Sequence, residues 1–152
     1  MTYHDTAPGL PDPDLHPGFY SGTVPKRFFA WLVDSILIGL IVGIVVLLTV
    51  FIGLFFLPVI WITVEAAYRV ITMTGRSATL GQRLFGIEFR NHEGGRFSMG
   101  EAAFHVLGYI LSMSFLLPQV ISIVMMIAGS RGQGLADMFL GNACINRPAE
   151  RW

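Results

Sequence analysis

Charged side chains are scarce in this chain. Asp, Glu, Lys and Arg make up 13% of its 152 residues, against about a quarter in an ordinary soluble domain. The charges present cancel, ten basic against ten acidic, so no general positive field points to nucleic acid. Lysine is nearly missing, with Lys26 the only one. Cysteine is limited to Cys144, which excludes an intrachain disulfide and any cysteine-based metal cluster. Patterns such as GxSxG, HExxH, CxxC or a phosphate loop do not occur. No nucleophile–base pair, metal site or cofactor fingerprint can be assembled, so the sequence predicts neither an enzyme nor a cofactor. What is abundant is apolar side chain, 53% of the whole, and its distribution predicts a protein whose main partner is a lipid bilayer.

Residues 1–24 hold four prolines, three glycines and three aspartates, with no apolar periodicity and no signal-peptide pattern. They predict a mobile N-terminal tail. Pro25 then suits the first turn of a helix, where a missing N–H costs nothing, and Thr23 could supply the capping hydroxyl. In residues 28–57 the only polar side chains are Asp34, Ser35 and Thr49. A helix needs about 20 apolar residues to cross a bilayer. The apolar character resumes after Pro58 and runs to Met73. This predicts two spans, about 28–52 and 57–73, joined by a tight turn near residues 53–58. Lys26 and Arg27 precede the first span, and Arg76, Arg83, Arg90 and Arg96 follow the second. The positive-inside rule puts both flanks, and the N-terminus, in the cytoplasm.

Residues 75–101 read as a small cytoplasmic connector. Leu80, Leu84 and Phe85 recur at helical spacing, Ile87–Arg90 alternates with period two, and Asn91-His92-Glu93-Gly94-Gly95 is a turn cluster before Arg96-Phe97. That predicts a short helix followed by a β-hairpin. Ser98 and Glu101 have capping-box spacing. A third apolar segment, residues 102–128, is interrupted at Pro118. It is either a hairpin or re-entrant pair, or a single third span. Residues 135–139 read as a short helix, 143–145 as a short extended piece, and 148–152 as a C-terminal tail. The fold class is therefore an all-α polytopic membrane protein, its membrane domain covering residues 25–147.

Ionisable groups inside a span cost about 2.5–3.5 kcal/mol on insertion scales and need a reason. Asp34 lies seven residues after Arg27, about 10 Å along one helix face, which predicts a direct or water-bridged pair. Glu65 and Arg69 are four apart in the favourable order for a helical ion pair. One polar cluster of Arg27, Asp34, Glu65 and Arg69 is expected in the cytoplasmic half of the membrane, tying helices together or lining a path. His105 is either part of a proton path or an ordinary interfacial residue. Gly39 and Gly43 form a GxxxG, placed about 140° and 180° from Asp34 at about 100° per residue. That face is expected to pack against the third segment or against a second copy.

Three separated motifs resemble the RDD family of bacterial membrane proteins. Arg27-Phe28-Phe29-Ala30-Trp31-Leu32-Val33-Asp34 is similar to its opening Arg–x–x–Ala–x–x–x–Asp pattern. Thr79-Leu80-Gly81-Gln82-Arg83-Leu84-Phe85-Gly86-Ile87 resembles its connector motif, with Leu80 for proline and Gln82 for lysine, and Gly94-Gly95-Arg96 its glycine turn. The stretch from Arg131 through Asp137 to Gly141 is similar to its closing motif, with Ala136 for histidine and Asn142 for threonine. The resemblance implies that Arg27, Asp34 and Asp137 are the signature residues, with Arg131 supporting them. It also implies residence in the bacterial inner membrane and transport of an unidentified ligand, an ion or small solute. The alternative is a non-catalytic scaffold that binds partner proteins. Either role admits a homo-oligomer or other membrane proteins as partners. If Asp137 acts with Arg27, residues 102–128 must return to the side on which they started.

Overall fold

Apolar composition and proline placement set the helix boundaries in the computed structural model, which describes residues 9–148. Helix α1 runs Thr23–Leu48. It starts after Gly22, whose φ of 70° lies in the left-handed region that glycine tolerates best. Thr23 belongs to the first turn rather than capping it, and its hydroxyl donates to the Tyr20 carbonyl (2.9 Å). The chain reverses through Val50 and Phe51, both at positive φ, and a 3-10 turn at Ile52–Phe56. Helix α2, Leu57–Met73, follows with Pro58 in its first turn. Ile38, Val42 and Val46, one per turn of α1, are buried against Ile60, Val64 and Tyr68. This stripe joins the two helices that are long and apolar enough to cross a membrane.

Beyond α2 the chain forms helix α3 (Leu80–Leu84), capped reciprocally by Thr79 and Gln82, and strand β1 (Ile87–Arg90). Arg83 donates to the carbonyls of Ala78 and Thr72, the latter one of the last carbonyls of α2. The turn at residues 91–95 closes as expected, with Asn91 N–H donating to Gly95 O (3.0 Å). The second strand, however, is not residues 96–97. Phe97 instead bonds back to Gly75 and Ser77, and β1 pairs antiparallel with β2 (Ala143–Asn146), Phe89 opposite Cys144. Ile87, Phe89, Ala143, Cys144 and Ile145 are all fully buried. Long-range pairing covers both strands, which a local hairpin would have left half bare.

Helix α4 (Met99–Ser114) begins with the Ser98–Glu101 capping box. Helix α5 (Leu116–Ala128) departs from it at an angle of 115°. The break falls at Phe115, three residues before Pro118, because the proline ring clashes with the carbonyl four positions back, that of Ser114. At about 1.5 Å per residue, α4 is about 24 Å long and α5 about 20 Å, each short of a 30 Å hydrocarbon core. Helix α6 (Leu135–Leu140) and β2 then lie at the end of the molecule where α1 starts, since Lys26 Nζ donates to Asn146 Oδ1 (2.6 Å). The third segment is thus a bent pair, and the closing elements after it lie at the end of the molecule where α1 starts.

Part of the expected tail is also fixed. Phe19 and Tyr20 are buried against Ala143 and Ile145, and the Tyr20 hydroxyl donates to Pro11 O (2.7 Å). Asn146 donates to Gly18 and Ser21 carbonyls. Two aromatic side chains among the prolines give this stretch enough apolar surface to dock. Residues 1–8 of the predicted N-terminal tail and 149–152 of the C-terminal one lie outside the described residues.

Candidate functional site

The signature residues converge where α1 meets the connector. Asp34 is 1% exposed and is held from three elements. Tyr68 Oη of α2 donates to its Oδ1 (2.7 Å), as does the Gly81 N–H of α3 (2.8 Å). Thr79 Oγ1 donates to Oδ2 (2.5 Å), and Arg69 Nη1 stands 3.9 Å from the same oxygen. Gly81 is required by the close approach. A Cβ there would collide with the Ala30 carbonyl oxygen and crowd the Asp34 carboxylate.

Arg69 lies between the two acids of the expected cluster, Asp34 and Glu65. Its Nε donates to Glu65 Oε1 (3.3 Å) and its Nη2 to Tyr109 Oη (3.2 Å), with the guanidinium 4.3 Å from the Tyr109 ring centroid. Trp31 Nε1 donates to the same hydroxyl (2.9 Å). One tyrosine therefore joins α1, α2 and α4. The sequence pairs Arg69 with Glu65 correctly.

Arg27 does not pair with Asp34. Its Nη1 donates to Asp137 Oδ2 (2.7 Å) and to Gly132 O (2.9 Å), and its guanidinium lies 5.0 Å from the Phe89 ring centroid. The correction is geometric: about 10 Å separates positions 27 and 34 along the helix, whereas the closing motif comes into direct contact with Arg27. Asp137 Oδ2 also accepts Gly134 N–H (2.9 Å), and Oδ1 lies 3.7 Å from His105 Nδ1. His105 packs at a tilt against both Phe89 and Phe97, with ring centroids 4.4 and 5.4 Å away, and those two rings stack on each other. It is an interior residue, not an interfacial one.

Between the two ion pairs lies a cavity of about 80 Å³, with Arg27, Asp34, Arg69, Gln82, His105 and Tyr109 in its wall. Glu65 is outside that wall. Arg131 stands apart, with His92 and Met138 in the wall of a separate surface cleft. Gly39 faces Trp61 of α2 at ordinary contact distance, and Gly43 faces open space. Gly39 therefore meets α2, and neither glycine has the third segment within 4 Å. Among the described residues no group of three or more His, Cys, Asp or Glu is arranged to hold a metal ion. Cys144, fully buried behind Phe89, has its thiol pushed up to about 12 by burial.

Sequence reasoning missed Tyr68, Tyr109 and Trp31. Each is an amphipathic aromatic inside an apolar run, with nothing in its spacing to mark its hydroxyl or N–H as a partner of a charge. Thr79 and Gly81 carried a signal, since both belong to the connector motif.

Comparison with curated proteins and with solved structures finds no match. The model of the RDD family matches residues 22–141, which hold Arg27, Asp34, the connector and Asp137, and the chain belongs to that family of membrane proteins.

Proposed function

We propose that the protein moves a small inorganic ion or proton through the polar cavity, with Asp34 and Arg69 as its charged gatekeepers. The observation that carries this reading is the cavity itself. Ionisable side chains among apolar helices mark ion and proton pathways by default, and here two arginines, a carboxylate and a histidine line one partly open cavity. Its volume, about 80 Å³, admits an ion with on the order of a few waters and excludes an organic solute. Away from α3 the path is closed by Ile38, Val42 and Val46 against Ile60 and Val64. Passage therefore requires these helices to part, or a second copy to complete the route, so a homo-oligomer belongs to the proposal. The membrane is the bacterial inner membrane, with the connector and N-terminus in the cytoplasm.

A second reading, a non-catalytic scaffold for partner proteins, is favoured by a different observation. Asp34 already accepts three hydrogen bonds, which makes it a good staple and a poor free ligand. Flux in proteoliposomes discriminates the two. Under imposed proton, sodium or potassium gradients, the parent should exceed empty liposomes and Asp34→Asn should lose most of that excess. Glu93→Gln, on an exposed side chain of the turn at residues 91–95 and outside the cavity wall, should stay within about twofold of the parent, because a group with no shared partner couples little to the path. A folded parent with no flux of any of the three ions sinks the transport reading and leaves the scaffold.

A further inference from the structure

The turn between α1 and α2 is unlike a water-facing loop. Between Asp34 and Glu65 no residue is charged, and within the turn Phe55 is 86% exposed, Phe56 60% and Phe51 56%. The turn at residues 91–95, by contrast, carries His92 and Glu93. The backbone differs as well. Each N–H from Thr49 to Leu54 has a partner in the turn or the last turn of α1: Val45 O, Leu47 O, Val46 O, Thr49 O, Thr49 Oγ1 and Phe51 O, in that order, at 3.0–3.1 Å. The Leu57 N–H follows by donating to Leu54 O. Thr49 spends its own hydroxyl proton on the last carbonyls of α1. Water normally satisfies such groups in a loop. A segment that satisfies these N–H groups internally, at the cost of positive φ at Val50 and Phe51, suits a backbone seated in hydrocarbon, where no water replaces a missing partner.

Length agrees. From Arg27 to Leu48 is about 32 Å, and α2 alone is about 25 Å, at 1.5 Å per residue, against a hydrocarbon core of about 30 Å. A hairpin whose charged end sits at one headgroup layer reaches the far one and does not pass it. We infer that the surface formed by residues 50–57 is a lipid-binding surface, seated among the acyl chains and inner headgroup edge of the far leaflet, continuous with the lipid-facing sides of α1 and α2. The hairpin then presents no loop to the far aqueous compartment.

The test is site-directed spin labelling in nanodiscs, where both membrane faces are open to reagents. Phe55→Cys and Val50→Cys are made in a Cys144→Ala background, with Ser130→Cys, exposed after α5, as the water-facing reference. Nitroxides at 50 and 55 should collide readily with oxygen and at least tenfold less often with a water-soluble nickel chelate than the label at 130. A charged maleimide should also modify Phe55→Cys at least tenfold more slowly than Ser130→Cys. Since Phe55 makes so little contact within the chain, its replacement is expected to leave the fold intact, checked by a single symmetric peak on size exclusion. Chelate collision or maleimide rates at 50 and 55 equal to those at 130 overturn the inference.

Discussion

Gly81→Ala puts the junction of α1 with the connector under direct strain. The added methyl would meet the Ala30 carbonyl oxygen and stand 2.8 Å from Asp34 Oδ1, so α3 must move away from α1. Overpacking of this kind costs about 1–3 kcal/mol. The same movement stretches the Gly81 N–H bond to the carboxylate, now 2.8 Å, and a hydrogen bond to a charged group contributes about 1.5–3 kcal/mol. Replacing a helical glycine returns about 0.5–1 kcal/mol. The net expectation is a loss of about 2–5 kcal/mol. Gly43→Ala is the control on α1: nothing lies within 4 Å of its new Cβ, so it should gain up to about 1 kcal/mol. Reversible unfolding in mixed micelles, followed by tryptophan fluorescence, measures both. A Gly81→Ala protein within 1 kcal/mol of the parent would refute the claim that the α1–α3 contact organises the site. A loss at Gly43→Ala accompanied by a smaller particle would instead show that this glycine packs a second copy.

Three further outcomes are expected. Arg27→Gln and Asp137→Asn should each destabilise, by about 2–3 kcal/mol because the arginine side chain is 18% exposed and the aspartate 3%, below the ~3–5 kcal/mol of a fully buried broken pair. The double variant should cost less than the sum by about 1 kcal/mol or more in the same unfolding assay, and strict additivity would argue against a direct pair. Cys144 should react with a chromogenic disulfide at pH 8 at least about a hundredfold more slowly folded than unfolded, since burial suppresses the thiolate. Its thiol ionises at about 12 when folded and near 9.0 otherwise. The unfolded state therefore releases its proton first, and this contribution to stability, complete below pH 9, declines between pH 9 and 12. A midpoint of unfolding that rises over that interval in the parent relative to Cys144→Ala contradicts the assignment.

The elements were largely legible because their signals are local. The charge-free run from Ser35 to Val64, the Ser98–Glu101 spacing and the alternation at Ile87–Arg90 each report a structure formed within a few residues. Pro118 announced a break, though its steric effect lands at Phe115. Partnership was less legible. Helical periodicity favours neighbours on the same helix, and so it paired Arg27 with Asp34. The actual partner of Arg27 lies 110 residues on, and those of Asp34 lie 34, 45 and 47 residues on. β1 likewise offered its alternation but not the identity of its mate. Recognition of three motifs in order supplied the Arg27–Asp137 link that spacing could not. The tyrosines around Arg69 were illegible from both directions.

The Arg27–Asp137 contact has a consequence for the order of events at the ribosome. At elongation rates of about 5–20 residues per second, Asp137 is synthesised about 5–20 s after Arg27, and Gly81 about 2–10 s after Asp34. Through that interval α1 lacks the native partners of its carboxylate and guanidinium. Strand β2, the last element among the described residues, then supplies the mate for β1 and, through Asn146, clasps Lys26, Gly18 and Ser21. A nascent chain truncated before Gly134 should therefore leave Arg27 without its carboxylate and β1 without its mate.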